Sequence, residues 1–279
     1  MNRIADAFAR GKAFIPFLTC WDPDLETTEA AVRAMAQVGA DLIELGIPFS
    51  DPTAEGPVIQ AANQRALAGG VTTDQIFEMA GRLRRDLAVP LVCMTYANVV
   101  FSYGAQHFLA KAAQAGVDGL ILPDVPFEER EEFSPLCRQH GLALVSMIAP
   151  TSQDRITRIA GQAEGFLYCV SSLGVTGVRG ELGSDVAGMV ALAKAANPTL
   201  PCAVGFGIST PEQAAAMAAV ADGVIVGSAI VEHFARHGRD VVPPLRDYVA
   251  QIIMRCDSDS GKKLIKSMVL RTADRQGMC

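Results

Sequence analysis

Eight short apolar runs recur along this chain, separated by longer Ala-rich stretches, and that alternation restricts the fold more than any other feature. The runs cover residues 14–19, 42–46, 91–95, 119–122, 143–148, 166–170, 202–204 and 224–226. They read as near-continuous hydrophobic stretches instead of strict polar–apolar alternations, the pattern of strands covered on both faces of a parallel sheet. A faint internal repeat marks the joins. Gly39-Ala40-Asp41-Leu42-Ile43, Gly116-Val117-Asp118-Gly119-Leu120-Ile121 and Ala221-Asp222-Gly223-Val224-Ile225 each follow an Ala-rich stretch. A small residue ends the helix, a short loop turns, and a strand begins. The opposite junction shows at Thr210-Pro211-Glu212-Gln213, where Thr210 suits an N-cap, Pro211 the first helical position and Gln213 the closing of a capping box.

Eight such units in about 240 residues predict an α/β chain folded as a (β/α)8 TIM barrel with a closed parallel eight-stranded sheet. An open doubly wound sheet is the alternative. The expected plan is a single barrel domain over residues 1–254 and a polar tail over 255–279, with helical patterning only near residues 264–270. Two connections are long: the second and third runs start about 50 residues apart, the sixth and seventh about 36. Extra length after a strand's C-terminal end is where barrels build lids and active sites.

Half the residues are hydrophobic and 19% are charged, enough to bury a large core. A net charge of −6 gives no electrostatic footprint for nucleic acid or an anionic membrane, so a bound phosphate must be held by a few local donors. Seven cysteines occur without a CxxC pair, and Cys93, Cys169 and Cys202 lie in apolar runs, where cysteine acts as a small hydrophobe. Reduced thiols and a cytoplasmic location are expected, with no zinc-ligand spacing and no metal site. The first residues lack the apolar core of a signal peptide, and no uncharged apolar stretch reaches the roughly 18 residues of a membrane span.

The residues with chemical potential fall at strand ends. Gly205-Phe206-Gly207-Ile208-Ser209 follows the seventh run, and Gly227-Ser228-Ala229-Ile230 follows the eighth and opens a helix. In barrels these two loops often hold a phosphate on backbone N–H groups; tight turns without a ligand are the plainer reading. Gly174-Val175-Thr176-Gly177 suits a loop that closes over a substrate, or an ordinary solvent loop. Glu44 ends the second run, and a carboxylate in an otherwise apolar strand is costly to bury unless partnered or functional. Its position makes it the best acid/base candidate. Glu55 follows in a Pro-rich segment shaped to return over the site. Asp124, after the fourth run, is a third acid, equally suited to fixing a loop or a helix N-terminus. His107, His140, His233 and His237 fall away from strand ends, and none of the lysines sits where a Schiff-base mechanism needs one.

Taken together, Phe14-Ile15-Pro16-Phe17-Leu18-Thr19, Glu44-Leu45-Gly46-Ile47-Pro48-Phe49-Ser50-Asp51-Pro52, Tyr96-Ala97-Asn98, Asp124-Val125-Pro126, Gly174-Val175-Thr176-Gly177, Gly205-Phe206-Gly207-Ile208-Ser209 and Gly227-Ser228-Ala229-Ile230-Val231 resemble the tryptophan synthase α-chain family, in its order, over residues 3–253. The resemblance implies a carbon–carbon lyase that cleaves indole-3-glycerol phosphate to indole and glyceraldehyde 3-phosphate by a retro-aldol reaction, without metal or organic cofactor. It implies Glu44 as main acid/base and Glu55 as the carboxylate that stabilises positive charge at the indole N–H. Phe17, Met94, Ile121, Tyr168, Thr176 and Phe206 would line the indole pocket, and Gly177, Gly207, Gly227 and Ser228 would bind phosphate. Pro48, Asp51 and Asn98 would face a tryptophan synthase β chain in an α2β2 complex. The chain departs from the family pattern at Glu55, where aspartate is usual, at Ser172, where arginine is frequent, and after about Arg255. A stand-alone lyase releasing free indole, and a weakly catalytic activator of a β chain, are the competing readings.

Overall fold

The structure is a computed structural model that describes residues 3–171 and 182–256. Its strands are β1 (Ala13–Thr19), β2 (Ile43–Gly46), β3 (Leu91–Met94), β4 (Gly119–Ile121), β5 (Ala143–Ile148), β6 (Leu167–Val170), β7 (Cys202–Gly205) and β8 (Gly223–Val226). The helices are α1 (Arg3–Phe8), α2 (Leu25–Gln37), α3 (Pro57–Ala68), α4 (Thr73–Arg84), α5 (Ala97–Tyr103), α6 (Ala105–Gln114), α7 (Ser134–Gln139), α8 (Ile156–Gln162), α9 (Leu182–Ala196), α10 (Pro211–Val220), α11 (Ser228–His237) and α12 (Val242–Cys256). Each strand pairs in parallel with the next, and β8 returns to β1, so the sheet is a closed barrel and the open-sheet alternative is set aside. Every strand expected from the sequence is present, with ends displaced by no more than one residue.

Side chains alternate across this closed sheet with the two-residue period of a strand. Ile43, Leu45, Cys93, Leu120, Cys169, Val204 and Val224 face outward into one core beneath the helices. Ile15, Phe17, Leu42, Val92, Met94, Ile121, Val145, Tyr168, Ala203 and Ile225 face inward and form a second. Helix α1 supplies Ile4, Ala7 and Phe8 to the inner core, with the Phe8 ring 5.6 Å from that of Phe166. Ile4 and Phe8 abut Gly119 and Gly223, the first residues of β4 and β8, so α1 plugs the N-terminal mouth.

The Gly/Ala-Asp repeat has a structural cause. Asp41 Oδ2 accepts the N–H of Phe14, Asp118 Oδ2 that of Leu91 and Asp222 Oδ2 that of Cys202, at 3.0, 2.9 and 2.8 Å. The N–H of each aspartate donates back to the carbonyl of the same residue. Each pair ties the start of one strand to the turn before the next, at β1–β2, β3–β4 and β7–β8, and satisfies strand-end donors that burial would otherwise strand.

Two helices, α3 and α4, fill the long β2–β3 connection. The Thr210 capping box forms as expected, with Pro211 at the helix start. Cys20, Cys93, Cys137, Cys169 and Cys202 are free thiols, and all are buried. Among the described residues no helix is long and apolar enough to cross a membrane. The Gly174–Gly177 loop, Ser172 and the 257–279 part of the tail lie outside the described residues.

Candidate active site

Glu44 points into the barrel from β2, in register with Phe17 on one side and Val92 on the other. The outward-facing Ile43 and Leu45 flank it in sequence, so the strand's alternation alone delivers a carboxylate to the inner core. It is completely buried, and neither carboxylate oxygen has a hydrogen-bond partner among the described residues. Loss of solvation pushes its carboxyl up to about 8, so the group holds a proton at neutral pH. Burial, and secondarily the nearness of Glu44, keeps the Tyr168 phenol protonated well above its ordinary range.

Glu55 lies in the loop between β2 and α3. Val58, Ile59 and Ala62 of α3 pack against the inner core, so this loop runs across the open mouth. Tyr96 braces it: its hydroxyl accepts the Ala54 N–H at 3.0 Å, and its ring lies 5.1 Å from that of Phe49. Gln60 Nε2 donates to the Glu55 carbonyl at 2.8 Å, and Asn63 Nδ2 donates to Glu55 Oε2 at 2.7 Å. Burial raises the Glu55 carboxyl to about 7 against the opposing pull of the Asn63 bond. Two carboxylates therefore share one face of the barrel in different states of solvation, the arrangement that lets one act as acid while the other is ionised.

Phe17, Met94, Ile121 and Tyr168 all belong to the inner core and are buried, and Met94 and Ile121 are register partners. Phe206 closes the set from the β7–α10 loop, its ring 6.2 Å from Tyr168 and nearly edge-on at 69°. Gly205 makes room for this contact: a Cβ there would lie 2.6 Å from the Tyr168 hydroxyl. Thr176 lies outside the described residues.

Phe206 and Gly207 both adopt left-handed backbone conformations, with φ of 77° and 72°. Glycine accommodates this freely; for phenylalanine it is strained and must be held by its surroundings. Ser171 holds it, its hydroxyl lying 2.8 Å from the Gly205 carbonyl and 2.5 Å from that of Phe206. On the loop's far side the Tyr248 hydroxyl donates to the Ser209 carbonyl at 2.9 Å. Gly207 is exposed, Gly227 caps α11 and exposed Ser228 begins it, which leaves first-turn N–H groups free of helical partners and suited to an anion. Gly227 packs on the Phe17 ring, so the phosphate-type loop and the aromatic pocket adjoin. Gly177 lies outside the described residues.

Asp124 takes the plainer of its two roles: both oxygens sit 3.1 Å from the Ala97 N–H at the start of α5. Pro48 is buried, whereas Asp51 and Asn98 are exposed, and Phe101 on the same helix as Asn98 is half-exposed. The sequence analysis assigns no role to Ser171 or Asn63, and Tyr96 enters it only as part of the Tyr96-Ala97-Asn98 motif. Asn63 is visible in the sequence as an amide among Ile59, Ala62 and Ala66 on the buried face of α3.

The family model for the tryptophan synthase alpha chain matches residues 5–252. The tryptophan synthase alpha chain of Lacticaseibacillus casei is 46% identical over 258 residues, covering 92% of this chain and 97% of the relative. That of Shouchella clausii is 50% identical over 83% of this chain and 86% of its own length. A crystal structure of tryptophan synthase subunit alpha from Legionella pneumophila superposes with a TM-score of 0.84 at 36% identity, over 93% of this chain and all of the other. A Pyrococcus furiosus structure, described as addressing mutual activation of the tryptophan synthase α2β2 complex, gives 0.81 at 36% identity, over 87% of this chain and 98% of the other. With a closed eight-stranded barrel and a family match over residues 5–252, the chain belongs to the tryptophan synthase alpha chain family.

Proposed function

We propose that this chain cleaves indole-3-glycerol phosphate to indole and glyceraldehyde 3-phosphate and passes the indole to a tryptophan synthase β chain in an α2β2 assembly. The observation that carries the assignment is Glu44, a buried carboxylic acid without a hydrogen-bond partner among the described residues, on a strand whose inward neighbours are the aromatic and apolar side chains of the inner core. An unpartnered acid is costly to bury, and a substrate-facing role accounts for it.

In this mechanism Phe17, Met94, Ile121, Tyr168 and Phe206 grip the indole ring, with Thr176 completing the pocket. The N–H groups of Gly207, Gly227 and Ser228, with Gly177, hold the phosphate. Glu44 enters protonated and delivers its proton to indole C3. Ionised Glu55 stabilises the positive charge that appears at the ring nitrogen. Glu44, now a carboxylate, takes the proton from the glycerol hydroxyl next to the ring. The bond between ring and side chain breaks, its electron pair returns to the ring, and the aldehyde forms. The hydroxyl proton replaces the one given to C3, so the acid is restored each turn. Exposed Asp51 and Asn98, together with buried Pro48, form the β-chain face. Residues 1–254 act as one domain, and free buried thiols accord with a cytoplasmic enzyme.

The deciding measurement is indole release from indole-3-glycerol phosphate, with and without a matching β chain. Slow cleavage that rises strongly with the β chain is expected. Fast cleavage unmoved by the β chain would point to a stand-alone lyase, and β-chain activation without cleavage to an activator.

A further inference from the structure

Asn63 lies on the buried face of α3, at 4% exposure, beside Val58, Ile59 and Ala62, which pack against the inner core. A leucine would serve packing there without stranding a polar group. The amide is instead directed at Glu55, eight residues earlier, with Nδ2 2.7 Å from Oε2. Glu55 is otherwise approached by the Tyr96 phenol from the β3–α5 junction, with Asp124 beyond it; neither supplies positive charge. No lysine or arginine pairs with Glu55 among the described residues. A buried carboxylate without a cation depends on hydrogen-bond donors to remain ionised, and Asn63 is the side-chain donor that meets this one.

We propose that Asn63 is the positioning residue that holds the Glu55 carboxylate in place and in its charged form for the cleavage proposed above. An amide suits this task because it donates without competing for the proton. The inference rests on that reading for the step it serves, while the contact itself can be tested without it.

The test compares the whole chain with Asn63→Leu, which restores an apolar stripe and preserves packing, and repeats the exchange in a Glu55→Gln background. Cleavage is followed across pH, and phosphate-loop integrity is read by inorganic phosphate affinity. Asn63→Leu is expected to move the acid limb of kcat/KM upward by at least about one pH unit, a tenfold loss on the acid side, with phosphate affinity within about twofold. In the Glu55→Gln background it should add no further loss, because two residues acting through one carboxylate are not additive. An unmoved acid limb, or the same loss in both backgrounds, would overturn the proposal. The carbon-13 resonance of the Glu55 carboxyl, assigned by its disappearance in Glu55→Gln, titrates independently of turnover. A midpoint unchanged by Asn63→Leu would refute the role of Asn63 even if the chain cleaves substrate. A raised midpoint in a chain that cleaves nothing would support the contact and discard only the reaction.

Discussion

Phe17 and Glu44 are register partners on adjacent strands, and both project into the barrel. The pairing puts a phenyl ring beside a carboxyl group that has no hydrogen-bond partner among the described residues. The Phe17 ring also presses on Gly46, where a Cβ would meet it at 2.6 Å, so the ring is fixed from the β2 side. One element of the sheet thus sets both the shape of the pocket and the proton affinity of its acid.

Glu44→Gln should nearly abolish cleavage while inorganic phosphate affinity stays within a few-fold. The amide keeps the volume and cannot cycle a proton, and the phosphate loops stand on β7 and β8. Turnover assays and phosphate titration check this together; a variant retaining most of its activity would remove Glu44 from the acid/base role.

The pH dependence of kcat/KM should be a narrow bell. Glu55 must be ionised and titrates at about 7, so activity rises with pH through that region. Glu44 must be protonated and titrates at about 8, so activity falls above it. The free-enzyme profile reports these groups, and Glu55→Gln should erase the acid limb from whatever activity remains. An alkaline limb well below 7 would contradict the protonated state of Glu44.

Glu44 should make the fold less stable as pH rises. Its folded value of about 8 exceeds its ordinary 4.5, so below 4.5 both states are protonated and no penalty exists. Between the two values the unfolded chain ionises while the folded one does not, and stability declines until about pH 8, by at most about 5 kcal/mol. Glu44→Met removes this dependence. Urea midpoints should show the variant gaining on the parent between pH 5 and pH 8; a gap constant with pH would mean that Glu44 ionises in the fold without penalty.

Asp118→Ala should destabilise without slowing catalysis. Asp118 accepts from Leu91 N, Arg3 Nη1 and Arg84 Nη2 at 2.9, 2.6 and 3.0 Å, at the mouth plugged by α1. Removing the carboxylate takes the ion-pair partner from Arg84, which keeps its bonds to the Gly116, Leu87 and Val89 carbonyls, and leaves the strand-end N–H of Leu91 unpaired, a loss of about 2 kcal/mol. The urea midpoint should fall while kcat below the transition is preserved. A matching drop in kcat would show that the two mouths are coupled.

The sequence by itself determined the order of the barrel and which residues fall at its strand ends. Apolar runs, the aspartate-marked turns and the Thr210 cap are patterns within a few residues, and the two-residue period of a strand sends Glu44 inward once Ile43 and Leu45 are outward. Tertiary structure alone decided what those groups experience. Whether Glu44 is solvated, which amide meets Glu55, that Asp124 fixes a helix start and that Ser171 holds a strained Phe206 depend on contacts across 8 to 35 residues of chain. Burial and hydrogen-bond partners set the proton affinities, and both are properties of the closed sheet, in which distant segments share one interior.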